Sequence, residues 1–142
     1  MNNNLITTER LLYLLQEIYF DNIDSARAEE AAEAMHESIE WIHTQVWEHD
    51  GHDNSYVDKL KGREAVKEFL VDRVKEMQVE GIRHKVNKVL TDGSSGAFQA
   101  NVIGANGEKK SFFGWVEVKD EKIISYKAVS YTHLTLPTIL LV

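Results

Sequence analysis

The chain has 142 residues, of which 43% are hydrophobic, and carries a net charge of −7. This length and composition predict one folded domain and not a disordered segment. The acidic excess disfavours a nucleic-acid partner, because such binding depends on cations that neutralise phosphates. The absence of cysteine excludes disulfides, thiolate metal ligands and a cysteine nucleophile. We find neither a secretory signal nor an apolar run approaching the ~20 residues of a spanning helix, so we expect no membrane association and a cytoplasmic location.

Two helices are predicted near the amino end. Thr7 or Thr8 can cap the first, whose apolar residues recur at helical spacing: Leu11, Leu12, Leu14, Leu15, Ile18 and Tyr19. Residues 22–24 interrupt this pattern, and Asp24 or Ser25 can cap a second helix. The second helix has a narrow stripe of small apolar residues that allows close packing against the first: Ala28, Ala31, Ala32 and Met35.

The hydrophobic period changes to two from Ile39 onward, which predicts a strand. One face of this strand carries Ile39, Trp41, His43, Gln45 and Trp47. Residues 48–61 are polar and irregular, which predicts a long loop of the kind that often binds ligands.

A third helix is predicted to begin near Gly62 and to end at Gly81, a natural C-terminal cap. Four strands follow, with expected bounds at residues 82–91, 97–105, 110–119 and 122–131. The connections between them are short and contain turn residues, including Asn106-Gly107, a pair typical of a type I′ hairpin. Successive hairpins predict an antiparallel meander.

The carboxyl-terminal residues differ in character from the rest of the chain. They contain the only proline, Pro137, and the string from Ser130 to Thr138 resembles translated adapter sequence found on unrelated reading frames. We therefore expect a domain over residues 1–129 and a non-native tail over residues 130–142, and we exclude the tail from functional argument. The alternative is a genuine apolar strand at the carboxyl end.

Several features together resemble the nuclear-transport-factor-2-like superfamily, and within it the SnoaL-like polyketide cyclase branch. They are the order of elements, the strand with Trp41, the run Gly62 to Leu70 and the ending Phe113 to Tyr126. The resemblance implies an α+β fold in which a cone-shaped, curved antiparallel sheet wraps around the N-terminal helices (a cystatin-like α+β barrel). It also implies a small-molecule pocket and pairing through the sheets, so we expect a homodimer.

The catalytic positions of that superfamily transfer only in part. Steroid isomerases have a carboxylate base on the strand after the second helix, where His43 is the nearest residue here. Their acidic oxyanion donor lies on a later strand, but Phe113 to Trp115 contains no acid. Their phenol on the first helix has Tyr13 and Tyr19 as candidates. SnoaL-like cyclases have an aspartate late in the sheet, whereas the last strand here, Ile123 to Val129, has no carboxylate.

His43 is the first candidate catalytic residue. An imidazole with a pKa near ~6.5 can accept or donate a proton at neutral pH, so a histidine that faces a pocket is a competent general base. His43 shares strand parity with Trp41 and Gln45, which could stack on and orient a planar ligand. The alternative is a structural histidine whose nitrogens are satisfied by neighbours or water.

His84 is the second candidate, because a cross-strand pair with His43, Glu117 or Gln99 would form a polar patch at the mouth of the cone. The alternative is a half-exposed strand residue. Further substrate-binding candidates are polar or aromatic residues on the first helix and the strands: Tyr13, Trp41, Gln45, Trp115 and Glu117.

The segment His49-Asp50-Gly51-His52-Asp53 contains imidazole and carboxylate groups that suit a metal ion. Its spacing matches no rigid ligand frame, so we favour a solvated loop and expect no metal site.

These observations predict a domain that binds a compact, largely apolar molecule carrying a carbonyl or hydroxyl group. We expect a cofactor-independent isomerase, cyclase or hydratase that uses general acid–base chemistry, because enolisation or water addition needs only positioned acid and base groups. The alternative is a non-catalytic ligand carrier or a dimeric association module. The superfamily contains both kinds of protein, so the fold does not select between them.

Overall fold

The computed structural model describes residues 5–44 and 57–130. Its helical segments are α1 (Thr8–Leu12), a π-helical segment (Tyr13–Phe20), α2 (Asp21–Asp24), α3 (Ala28–Ala32) and α4 (Arg63–Glu80). Its strands are β1 (Met35–Thr44), β2 (Val57–Lys61), β3 (Arg83–Thr91), β4 (Ser95–Ile103), β5 (Lys109–Lys119) and β6 (Lys122–Ser130). Across these two ranges, no helix is both long enough and apolar enough to cross a membrane.

The first predicted helix is a continuous rod made of α1, the π-helical segment and α2. Thr7 caps it as expected, since its hydroxyl oxygen accepts a hydrogen bond from the Arg10 amide at 3.0 Å. The π-helical segment is uncommon geometry that is often found at functional sites. In this segment the consecutive residues Tyr19 and Phe20 are both buried, so both side chains reach the interior.

The second predicted helix is shorter than expected, because α3 ends at Ala32 and Met35 already belongs to β1. The reason lies in the sheet. The carbonyl of Ala34 accepts a hydrogen bond from the Ile123 amide at 2.9 Å, so the chain joins β6 at this point and does not continue the helix. The third helix was predicted correctly, and Gly81 follows it with a φ of 70°, which is left-handed.

All six strands form one curved sheet in the order β2-β1-β6-β5-β4-β3. The hairpin turns produce the predicted antiparallel meander from β3 to β6. One pair differs from the prediction of an antiparallel sheet: β1 lies parallel to β6. The chain leaves β1, passes through β2 and α4 and enters the meander from its far edge, so the last strand returns beside the first in the same direction.

The strand β2 was predicted as part of a loop, and this expectation is wrong. Its five residues, Val57 to Lys61, pair with β1 in an antiparallel register that places Asp58 opposite His43 and Leu60 opposite Trp41. The segment is short and has three charged residues, which is common for an edge strand and gives a weak sequence signal.

The inner face of the sheet packs on the helices, and β5 shows how the faces are assigned. Phe112, Gly114 and Val116 face inward, whereas Phe113 and Trp115 face outward with 44% and 45% of their surface exposed. The ring of Phe98 occupies the space beside Gly114, where a Cβ atom would lie 2.2 Å from it. The larger side chains of this strand, Phe113 and Trp115, therefore lie on the outer face. The interior next to Gly114 is filled by Phe98 from the neighbouring strand.

Candidate functional site

A cavity of about 50 Å³ lies between the inner face of the sheet and the helices. Its walls are mostly aromatic and aliphatic, and its polar groups include two imidazoles, a guanidinium and two phenols. The described residues that line it are Tyr19, Phe20, Ile23, Trp41, His43, Phe69, Leu70, Arg73, Ile82, His84, Val102, Phe112 and Tyr126. An apolar cavity with a few convergent polar groups is the usual form of a ligand site.

His84, at the start of β3, forms a tight pair with Asp24, the last residue of α2. Nδ1 of His84 lies 2.7 Å from Oδ1 of Asp24, and the second carboxylate oxygen accepts the backbone N–H of His84, also at 2.7 Å. A carboxylate can only accept, so Nδ1 carries the proton and Nε2 keeps a lone pair when the ring is neutral. The ring stacks on Phe20 at 4.9 Å, which further fixes its plane.

Gln16 holds the same end of β3 against the helical rod. Its amide nitrogen donates to the carbonyl of His84 at 3.1 Å, and its amide oxygen accepts from the amide of Val86 at 2.6 Å. The Gln16 side chain thus forms hydrogen bonds with backbone groups on the edge of β3 that no described strand covers. Together with Asp24, it fixes the position of His84 relative to the cavity.

His43, on β1, forms a looser pair with Asp58 of β2. Its Nδ1 lies 3.5 Å from the nearest carboxylate oxygen, which is too long for a strong hydrogen bond. The ring stacks on Trp41 at 5.2 Å. Burial lowers the pKa of His43, Asp58 partly opposes this effect, and Arg73 and His84 add to it. His43 is therefore a neutral imidazole near pH 7.

A hydrogen-bonded group of aromatic side chains forms another part of the cavity wall. The indole N–H of Trp41 donates to the hydroxyl oxygen of Tyr19 at 3.0 Å, and the hydroxyl of Tyr126 donates to the same oxygen. Burial raises the pKa of both phenols well above the ordinary value. Tyr19 therefore remains protonated and, having accepted two hydrogen bonds, can donate its own proton to another oxygen.

Four of the residues considered from the sequence line this one cavity: His43, His84, Trp41 and Tyr19, the last as a candidate for the phenol on the first helix. Tyr13 lies on the solvent side of the helical rod, where the Arg10 guanidinium is 5.1 Å from its ring centre. Gln45 lies outside the described residues, as do Trp47 and the segment from His49 to Asp53.

The remaining predictions need correction. Trp115 and Glu117 are exposed on the outer face of β5, because the inward parity belongs to residues 112, 114 and 116. They do not line the cavity. Gln99 was a predicted partner of the His84 ring. Its side chain instead forms hydrogen bonds with Asn87, Asn101 and Ser111 on strands β3 to β5. The observed partner of the His84 ring is Asp24.

Three polar residues of the cavity region were not assigned to the site from the sequence: Asp24, Asp58 and Arg73. Asp24 has the pattern of a helix cap, and Asp58 lies in a stretch without periodicity. Arg73 lies one helical turn after buried positions of α4. This spacing is the only local sequence feature that points to a residue of this group.

No protein-family model and no curated protein sequence matches this chain. Solved structures do match. A proposed ketosteroid isomerase from Kribbella flavida is 20% identical with a TM-score of 0.60, covering 87% of this chain and 78% of that one. A SnoaL-like protein of unknown function from Burkholderia thailandensis is 13% identical with a TM-score of 0.62, covering 88% and 98%.

An NTF2-like protein of unknown function from Mesorhizobium loti is 12% identical with a TM-score of 0.60, and the match covers 92% of this chain and 95% of that one. The chain has the nuclear-transport-factor-2-like fold, as the sequence resemblance predicted. Because the identities are low, the likeness concerns the fold, and any activity has to be argued from the cavity.

Proposed function

We propose that this chain catalyses proton transfer on a compact, largely apolar molecule that carries a carbonyl or hydroxyl group. The reaction class is that of a cofactor-independent isomerase, cyclase or hydratase. The observation that carries the proposal is the pair of Asp24 and His84, because the carboxylate orients an imidazole that lines the same cavity as His43. A base oriented by a third group is the arrangement that proton abstraction requires.

His84 is the better general base. Its Nδ1–H donates to Asp24, so its Nε2 lone pair is the atom that accepts a proton from the substrate. When the ring becomes an imidazolium, the adjacent carboxylate stabilises the positive charge without itself taking the proton. The sequence favoured His43 for this role, but the carboxylate of Asp58 is 0.8 Å farther from its ring nitrogen than Asp24 is from that of His84 (3.5 against 2.7 Å).

His43 and Tyr19 supply the second half of the chemistry. A carbanion formed next to a carbonyl places negative charge on the oxygen, and the neutral phenol of Tyr19 can donate a hydrogen bond to it. His43 is a neutral imidazole in the wall of the same cavity, so it can pass a proton to or from a second atom of the substrate. Two proton-transfer groups in one cavity suit an isomerisation or the addition and loss of water.

The rival function is a non-catalytic carrier. It is favoured by the absence of a carboxylate on β6 between Ile123 and Val129, where SnoaL-like cyclases have an aspartate.

Hydrogen–deuterium exchange tests the proposal without a known substrate. Butanone is incubated with the protein in D₂O, and loss of the signal of the protons next to the carbonyl is followed by NMR. We expect exchange above the buffer rate in the wild type and its loss in His84→Ala. Binding of butanone without any exchange would support the carrier and contradict the catalytic proposal.

We also propose that the chain forms a homodimer through the outer face of its sheet. Phe113, Trp115 and Val129 are each 44–45% exposed there and form an apolar surface on β5 and β6. Light scattering over a concentration series would detect the dimer, and Trp115→Glu should shift it towards monomer. A wild type that stays monomeric at high concentration would contradict this proposal. The cytoplasmic location stays a prediction.

A further inference from the structure

The cavity is small. Its volume of about 50 Å³ is a third of the ~150 Å³ of an engineered apolar cavity that binds benzene. A few water molecules or a short aliphatic molecule fit into it, whereas a ring with a substituent does not. The steroid named for the Kribbella structure is larger still.

The walls of the cavity are braced by aromatic contacts that resist expansion. Phe112 meets Phe20 and Phe98 in near-perpendicular edge contacts at 5.9 and 6.0 Å. Trp41 stacks on Tyr126 at 5.8 Å with an interplanar angle of 10°. Packed interiors of this kind have low compressibility, so a larger ligand would have to break several favourable ring contacts.

Phe69 is the exception among these aromatic residues. It lies on α4 in the second turn, is only partly buried and contacts Trp41 at 5.3 Å between ring centres. Trp41, Phe20 and Phe112 have at most 4% of their surface exposed and belong to the core. Phe69 therefore borders the cavity from the edge of the core, and its truncation would widen the space next to Trp41.

The charged groups around the cavity have both signs. Among the described residues, the carboxylates of Asp24 and Asp58 and the guanidinium of Arg73 all lie beside the two imidazoles. Of these three charged groups, Arg73 is the one among the described lining residues, so it is the charge that a ligand meets first.

From the cavity volume and its braced walls, we propose that the substrate is an aliphatic carbonyl or hydroxyl compound smaller than a benzene ring, and that Phe69 sets this size limit. The inference rests on the proposed function for the chemical class of the substrate. The size limit itself follows from geometry and can fail or hold separately.

A graded series of ketones tests the limit. Butanone, cyclohexanone and 1-decalone are titrated into ¹⁵N-labelled protein, and the ring signals of His43 and His84 are followed by NMR. In the wild type, butanone should shift both rings, and cyclohexanone and 1-decalone should shift neither. In Phe69→Ala, cyclohexanone should bind at least about tenfold more tightly, which is the discrimination expected for one or more methylene groups in an apolar pocket.

Two further variants keep the test decisive. If Phe69→Ala does not fold, Phe69→Leu is a smaller truncation that should also increase the affinity for cyclohexanone. Phe113→Ala removes a phenyl group from the outer face and should leave the preference unchanged. Binding of 1-decalone by the wild type, or an unaltered preference in folded Phe69 variants, would overturn the inference. Butanone binding without deuterium exchange would instead reject the catalytic proposal and leave the size limit standing.

Discussion

The two imidazoles of the cavity lie beside carboxylates in different ways. His84 is 2.7 Å from Asp24, and the same carboxylate also holds its backbone, so ring and strand are fixed together. His43 is 3.5 Å from Asp58 and is characterised mainly by burial, which lowers its pKa. The first histidine is defined by two short contacts with one carboxylate. The second has no carboxylate as near, and its side chain keeps 23% of its surface exposed against 11% for His84.

This difference separates two ways of preparing a histidine for proton transfer. A carboxylate partner fixes the tautomer and stabilises the imidazolium, which favours a residue that accepts a proton from carbon. Burial without a close partner keeps the ring neutral and makes protonation unfavourable, which favours a residue that exchanges protons without storing charge. One cavity thus contains an imidazole oriented by a close carboxylate and another without one.

The largest effect is expected on the rate of deuterium exchange, and it should differ between the alanine variants of His84 and His43. His84→Ala should lower the rate of deuterium exchange into butanone by about 10² to 10⁴-fold, the usual contribution of a general base. His43→Ala should lower the rate less, because Asp24 and His84 stay in place. The rate constants are compared at equal butanone occupancy, and melting temperatures report the folded state. A greater loss in His43→Ala would reverse the two roles.

The second largest effect is expected on stability, when Asp24, the carboxylate partner of His84, is replaced. Asp24→Asn removes a charged acceptor of two hydrogen bonds at the end of β3 and should cost about 1–3 kcal/mol in the free energy of unfolding. The matched control is Glu17→Gln in the same helical rod, which is exposed and should stay within about 0.5 kcal/mol of wild type. Both are measured by chemical denaturation. Equal costs would show that the pair does not fix β3.

The pH dependence of stability tests the second ring. Because the pKa of His43 is lowered on folding, the unfolded chain binds the proton more readily, and stability is lost as the pH falls below the ordinary value of about 6.5. One proton accounts for at most about 1.4 kcal/mol per pH unit. His43→Gln should therefore flatten the profile of unfolding free energy between pH 6.5 and 5. An unchanged slope would contradict the burial of a neutral ring.

The smallest effect is expected on the outer face. Glu117→Gln should change the free energy of unfolding by less than about 0.5 kcal/mol and leave the deuterium exchange rate at the wild-type value. Exchange assays and denaturation curves check this on the same sample. A clear loss of exchange would return Glu117 to the site and contradict the assigned parity of β5.

The meander could be predicted from the sequence because its signals are local. Hairpin turns such as Asn106-Gly107 and the cap at Gly81 act within a few residues. The parity of β5 could not be predicted in this way. Trp115 is larger than Gly114, so the sequence favours Trp115 as the buried residue, and only the ring of Phe98 on the next strand explains the opposite result.

The candidate site was predictable only as far as its strand residues. His43 and Trp41 share a parity that periodicity reveals, and His84 lies two residues from Val86 on the same face. The pair of Asp24 and His84 joins positions 60 residues apart, and a local pattern does not distinguish such an aspartate from a helix cap. Asp58 reaches His43 through β2, whose short and charged sequence does not indicate a strand.

The protonation state of the His84 ring tests the central claim most directly. Long-range ¹H–¹⁵N NMR spectra of the ligand-free protein at neutral pH distinguish the two tautomers of each histidine. We predict a proton on Nδ1 of His84 and a free Nε2, with this preference lost in Asp24→Ala. A ring protonated on Nε2, or a tautomer that does not respond to the loss of Asp24, would contradict the assignment of His84 as the oriented base.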